Sequence, residues 1–292
     1  PDGTRTVMDT TIGVDLGGTT VSSGRIENGR IAKSFSKNID AEQSEDEVMS
    51  EVYFAIDHLF NRNVKGIGVG APGLVDATRG IVYSLANIPS WQQVQLKQKL
   101  EKRYCVPAYV NNDANCFAAG VKYFGPGKAY ENIVGITLGT GMGTGLVLNN
   151  KLYAGKNCGA GEYGMLPYKD HNVEYYCSGQ YFKNQCGRSG KKLFERALAG
   201  NVEAIEIFNN YGEELGKAIK IILYTLDPEM VILGGSVSKA FEFFKDSMLR
   251  EIETFEFKHV LKQFTVIENR TPHIAILGAA ALYEDSIQTV IK

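Results

Sequence analysis

Two short segments of this chain combine glycine and threonine in a way suited to holding phosphate: Gly17-Gly18-Thr19-Thr20 and Gly139-Thr140-Gly141-Met142-Gly143-Thr144. A phosphate site needs backbone N–H groups that approach closely and point inward. Glycine permits this because it has no side chain in the way and accepts unusual backbone angles. Either segment alone also reads as a tight hairpin turn; the pair, in matching strand contexts, favours phosphate. Asp15, beside the first segment, either steadies that turn or organises Mg²⁺ through water, since Mg²⁺ takes few protein ligands and keeps several waters. A second carboxylate, Asp113, lies in Asn111-Asn112-Asp113-Ala114-Asn115. It follows a short strand pattern, Pro107–Val110, and opens a helical one, so it is either a helix cap or a general base at a strand end.

Competing nucleotide motifs fail. The chain has no G-x-x-x-x-G-K-[ST], and residues 139–145 read G-x-G-x-G-x-G ahead of a strand, not G-x-G-x-x-G ahead of a helix.

The elements that position these groups repeat. Thr11–Leu16, the first glycine turn, Val21–Ile26, Asn28-Gly29 and Ile31–Phe35 form one series. Ile133–Leu138, the second turn, Gly145–Leu148, Asn149-Asn150 and Lys151–Tyr153 form another. Asn-Gly between alternating apolar runs signals a hairpin whose central residues take positive φ. The echo predicts two related lobes. Elsewhere the periodicity predicts helices over 42–60, 94–103, 113–123, 192–199, 202–226, 239–255 and 274–284, and buried strands over 64–69 and 231–233. Alternating strands and helices make this an α/β protein.

With 292 residues, 44% of them hydrophobic, the chain is long enough for two domains. The 31 basic and 33 acidic residues give no basic surface for nucleic acid. No apolar run reaches the roughly 20 residues of a membrane span, and residues 1–7 are too polar for a signal peptide, reading as an expression remnant ahead of Met8. Five cysteines, an odd number, suit a reduced, cytoplasmic protein better than a disulfide scaffold.

Together the motifs resemble the ROK family of sugar kinases and repressors. The matching segments are Asp15-Leu-Gly-Gly-Thr19, Gly68-Val-Gly-Ala-Pro-Gly73, Asn87-Ile-Pro-Ser-Trp91, Asn111–Asn115, Leu138-Gly-Thr-Gly-Met-Gly143, Gly161-Glu-Tyr-Gly164 and Leu233-Gly-Gly235, in the family's order over nearly the whole chain. The resemblance implies a two-lobed ribonuclease H-like, actin-like ATPase (hexokinase) fold with the active site in a cleft. It places an N-terminal lobe over 8–118, joined by a returning C-terminal helix over 275–292, and a larger second lobe over 119–274. It implies ATP-dependent phosphorylation of a hexose 6-hydroxyl with Asp113 as general base, Mg²⁺ as cofactor and a homodimer. Sugar contacts carry over to Gly73, Asn87, Asn112, Asp113, Glu162 and Glu174. ATP contacts carry over to Asp15, Gly17, Gly18, Thr19, Thr20, Gly139, Thr140, Gly141, Gly234 and Gly235, with Gly278-Ala279-Ala280 either lining the adenosine side or packing helix on strand.

One stretch departs from the family. Met165 stands where the family has histidine after Gly164, and the Cys-x-Cys-Gly-x-x-Gly-Cys cluster is missing, so no structural zinc is expected. Met165 could also suit an N-acetylated hexosamine, making an N-acetylmannosamine or N-acetylglucosamine kinase the alternative. A sugar-responsive regulator and a non-catalytic sugar-binding protein are the alternatives of another class.

Overall fold

The computed structural model describes residues 8–40, 42–85, 88–156 and 158–287. The described chain divides into two units. The first takes Pro1–Lys128, Ala154–Ala160 and Thr271–Lys292; the second takes Ala129–Tyr153 and Gly161–Arg270. The first therefore runs past the expected boundary at 118, and the second, expected to be the larger, holds the smaller share of residues.

In the first unit, β1 (Thr10–Leu16), β2 (Thr20–Glu27) and β3 (Arg30–Asn38) form a meander. Its second turn has Asn28 and Gly29 at φ 50° and 75°, the positive pair the Asn-Gly dipeptide predicts. Helix α1 (Glu45–Asp57) starts with a capping box between Ser44 and Glu47 and buries Val48, Val52, Ala55 and Ile56. There follow β4 (Val64–Ala71), β5 (Leu74–Asp76), β6 (Ile81–Leu85), β7 (Ile88–Val94), α2 (Leu96–Tyr104), β8 (Ala108–Asn112) and α3 (Asp113–Tyr123). The main sheet has the order β3-β2-β1-β4-β8, with β1, β4 and β8 parallel. The small sheet β5-β6-β7 has no counterpart in the sequence-based expectation. Its strands are short and partly polar, yet Trp91 on β7 is fully buried in the unit's core.

In the second unit, β9 (Ile133–Leu138), β10 (Met142–Leu148) and β11 (Lys151–Tyr153) form a second meander, with Asn149 and Asn150 at φ 52° and 64° in its second turn. A two-strand hairpin, β12 (Pro167–Tyr168) and β13 (His171–Asn172), leads into α4 (Val173–Cys177), α5 (Gln180–Cys186), α6 (Gly190–Leu198) and α7 (Val202–Leu226). β14 (Met230–Gly234), α8 (Phe241–Ile252) and β15 (Thr265–Glu268) complete it. The sheet order is β11-β10-β9-β14-β15, again a meander extended by two parallel strands. The echo in the sequence is thus an echo in sheet topology.

The C-terminal helix α9 (Ile274–Ile287) belongs to the first unit. It rests on a row of glycines that stand opposite one another on adjacent strands: Gly24 faces Gly13 and Gly13 faces Gly68. A Cβ on Gly13 would lie 2.0 Å from the Ile276 carbonyl oxygen, and one on Gly68 would lie 1.8 Å from that of Ala279. Gly278 likewise admits α3, since a Cβ there would lie 2.2 Å from the Cys116 carbonyl oxygen. Gly278-Ala279-Ala280 therefore serves close packing, and the adenosine-lining alternative is set aside. Among the described residues no helix is long and apolar enough to cross a membrane.

Candidate active site

The first unit gathers its polar candidates at the carboxyl ends of its three parallel strands. Asp15 on β1 pairs with Gly70 on β4, and Gly70 pairs with Asn111 on β8, so the three lie in one row across the sheet. Asp113 follows where β8 gives way to α3. The cap of α3 is Asn112, whose Oδ1 accepts the Asn115 amide at 2.8 Å. Asn111 Oδ1 supports the same turn by accepting the Asn112 amide and Asn115 Nδ2, both at 2.9 Å. Asp113 is thereby relieved of capping. Its Oδ1 accepts the neighbouring Ala114 amide, at 2.8 Å.

The electrostatics of this row favour protons. Burial, and then the Asp113 carboxylate, push the Asp15 pKa up from 3.8 to about 6. Asp113 is also raised: crowding by protein atoms strips water from its carboxylate, and the Ala114 amide and its own amide partly offset this. Burial disfavours the charged form, so the folded state holds this proton more tightly than the unfolded chain. Asp15 thus adds stability at acid pH that is lost as pH rises through about 6.

The first glycine turn is closed by the Gly17 amide donating to the Thr20 carbonyl at 2.8 Å, with the Thr19 carbonyl accepting the Ile39 amide at 2.9 Å. Gly73 ends the β4–β5 connection at φ 109°, where a Cβ would strike the Ser84 carbonyl oxygen. Asn87 lies outside the described residues.

In the second unit, β9 and β10 meet at the second glycine turn. Its carbonyls are tied back: the Gly179 amide donates to Gly139 at 2.8 Å, and Ser178 Oγ donates to Thr140 at 3.2 Å. Glu174 on α4 accepts the Met142 amide at 2.8 Å. None of Gly17, Gly18, Gly139 and Gly141 has positive φ. A Cβ on Gly141 would lie 2.5 Å from Glu174 Oε2, whereas one on Gly139 would meet nothing within 4 Å.

Gly139 and Thr140 line one side of a cavity of about 790 Å³ within this unit, a size suited to a nucleoside. Phe182, Phe194 and Phe208 give it apolar walls, and Lys183, Lys191 and Lys239 supply positive charge around it. Gly234 and Gly235 do not line it. Gly235, at φ 90° and pressed against the Leu138 carbonyl oxygen, turns the chain so that Ser236 and Val237 do. Gln180 and the α6 side chains of this wall were not among the sequence candidates. The available signal was the amphipathic spacing of Phe194 and Leu198, which reads equally as ordinary core.

Glu162 precedes a short 3₁₀ turn, Tyr163–Met165, whose Gly164 packs against Met142 and Glu174. Met165 is exposed. The stretch expected to lack zinc is held by other means. His171 stacks on Tyr175 at 3.8 Å, and Tyr168 meets Tyr176 edge-on at 5.5 Å. Lys169 and Lys217 pair with the buried Glu214 at 2.6 and 2.8 Å. Burial works to raise the Glu214 pKa, but the two lysines outweigh it and hold it below the usual value. Cys177 is buried.

The ROK family profile matches residues 11–286. A glucokinase of Thermotoga maritima is 29% identical, with the match covering 94% of this chain and 98% of that protein. The xylose repressor of Bacillus subtilis is 29% identical over 65% of this chain and 53% of the repressor. Among solved structures, a ROK family glucokinase from Streptomyces griseus, in complex with glucose and AMPPNP, superposes with a TM-score of 0.76 at 27% identity, covering 94% of this chain and 98% of that one. The fold is that of the actin-like ATPases.

Proposed function

We propose, from the premise that this chain belongs to the ROK family, that it is an ATP-dependent sugar kinase acting on a hexose 6-hydroxyl. One observation carries the reading: Asp113 stands at the carboxyl end of β8 with the capping of α3 delegated to Asn112. A carboxylate released from structural work at that place suits a general base. A sugar hydroxyl is a weak nucleophile whose proton must leave as the new O–P bond forms, and Asp113 is the group to accept it. The rest of the barrier falls to positioning and charge neutralisation. The amides of the two glycine turns suit phosphate oxygens, and the cavity beside Gly139 and Thr140 suits the nucleoside. Asp15, protonated more readily than an ordinary carboxylate, fits a place where a divalent cation displaces that proton; Mg²⁺ held there through water would neutralise charge on the transferred phosphoryl group.

Asn112, Asp113, Glu162 and Glu174, with Gly73 and Asn87, form the proposed sugar contacts. The exposed thioether of Met165 favours a second reading in which the acceptor carries an N-acetyl group, whose methyl tolerates an apolar neighbour. ADP release measured with glucose, mannose, N-acetylglucosamine and N-acetylmannosamine tests both. Turnover on at least one sugar is expected, and a strong glucose preference would remove the N-acetyl reading. Sugar binding without ADP release on any of the four would instead favour a regulator or a non-catalytic binding protein.

A further inference from the structure

The second glycine turn is clasped by a single stretch of chain, residues 174–180. Ser178 and Gly179 hold the carbonyls of Thr140 and Gly139. Glu174 holds the amide of Met142 through Oε2, at 2.8 Å. The other oxygen of the same carboxylate, Oε1, accepts Gln180 Nε2 at 2.9 Å. Gln180 also lines the cavity, alongside Gly139 and Thr140. One carboxylate therefore connects the residue just after the turn to a residue of the cavity wall. Gly141 leaves room for this contact, since a Cβ there would fall 2.5 Å from Glu174 Oε2. A carboxylate offers about four acceptor positions. Two are taken, by Met142 and Gln180.

We propose that Gln180 is a positioning residue that makes nucleotide affinity depend on sugar occupancy at Glu174. The proposal rests on the kinase reading above. A sugar hydroxyl donating to Glu174 would fix the carboxylate in the orientation that also holds Met142. Gln180 completes that orientation from the cavity side. The first ligand then orders the turn, and the second binds to a turn already ordered, so each tightens the other by the same factor. Without Gln180 the carboxylate keeps its sugar and its Met142 bond but loses the arm that reaches the cavity.

The test is calorimetric titration with AMPPNP, with and without a saturating concentration of whichever of the four sugars binds most tightly, on the wild-type chain and on Gln180→Met, which keeps the bulk but donates no hydrogen bond. In the wild type, that sugar is expected to tighten AMPPNP about 5-fold or more, the lower end of ordinary coupling between sites. In Gln180→Met the factor should fall below about 2-fold, and KM for ATP should rise far more than kcat falls, a split that general loosening of the fold would not give. Gln180→Asn, one methylene too short to reach Glu174, is the second variant should the first fail to fold, and is expected to behave alike. A wild type with no coupling, or variants that keep the full factor, would overturn the inference. The kinase reading is judged separately by ADP release: turnover without coupling counts against this inference alone, and coupling without turnover counts against the kinase reading alone.

Discussion

Asp113→Asn lowers kcat by about 10²–10⁴-fold, the ordinary contribution of a positioned general base, and leaves the thermal midpoint essentially unchanged. Both halves of that expectation come from the same turn. The asparagine amide cannot accept the hydroxyl proton, so chemistry is lost. The cap of α3 belongs to Asn112, and the Asp113 carboxylate is bonded by the amides of Ala114 and of Asp113 itself, so little stability is at stake. ADP release and a thermal melt on the same preparation check the two halves. Near-normal turnover would remove Asp113 from the mechanism.

Gly68→Ala is expected to have the largest effect on stability, about 3 kcal/mol or more, the upper range for overpacking. The added methyl would stand 1.8 Å from the backbone carbonyl oxygen of Ala279. No side-chain rotamer relieves such a clash, because the obstacle is the helix backbone. Gly13 on the neighbouring strand makes the same demand, since a Cβ there would lie 2.0 Å from the Ile276 carbonyl oxygen. At roughly 2–4 °C per kcal/mol for a unit of this size, the midpoint should drop by about 6–12 °C. A drop of under 2 °C would show that α9 tolerates a shift of the sheet beneath it.

How much was legible in the sequence differs by element, for physical reasons. α3 and α7 were predicted with the bounds observed, 113–123 and 202–226, and β9 with 133–138. These segments carry enough apolar residues at one period to declare themselves without help from distant chain. The Asn28-Gly29 and Asn149-Asn150 turns were legible too, because few residues accept positive φ in succession. By contrast β5, β6 and β7 were missed. Within β7 the buried positions are Ile88, Trp91 and Val94, three residues apart, and the strand between them is polar. That spacing looks helical, and only pairing with β6 makes it a strand. The hairpin β12–β13, α4 and α5 are too short to show a period at all, and the hairpin's Tyr168 is held by Glu214, 46 residues downstream.

The amino-acid sequence by itself determined the duplicated strand–turn–strand pattern, the two glycine turns and the candidacy of Asp113, because each is written in local residue types and spacing. It could not say what the glycines were for or which neighbour capped α3. Tertiary contacts decided that Gly141 makes room for Glu174, that Gly13 and Gly68 make room for a helix some two hundred residues later in the chain, and that Asn112 takes the cap and frees Asp113. Those decisions depend on which backbone atoms come within a bond length or two of one another. Side-chain types along a chain set no such distance until the sheet and its helices have closed around them.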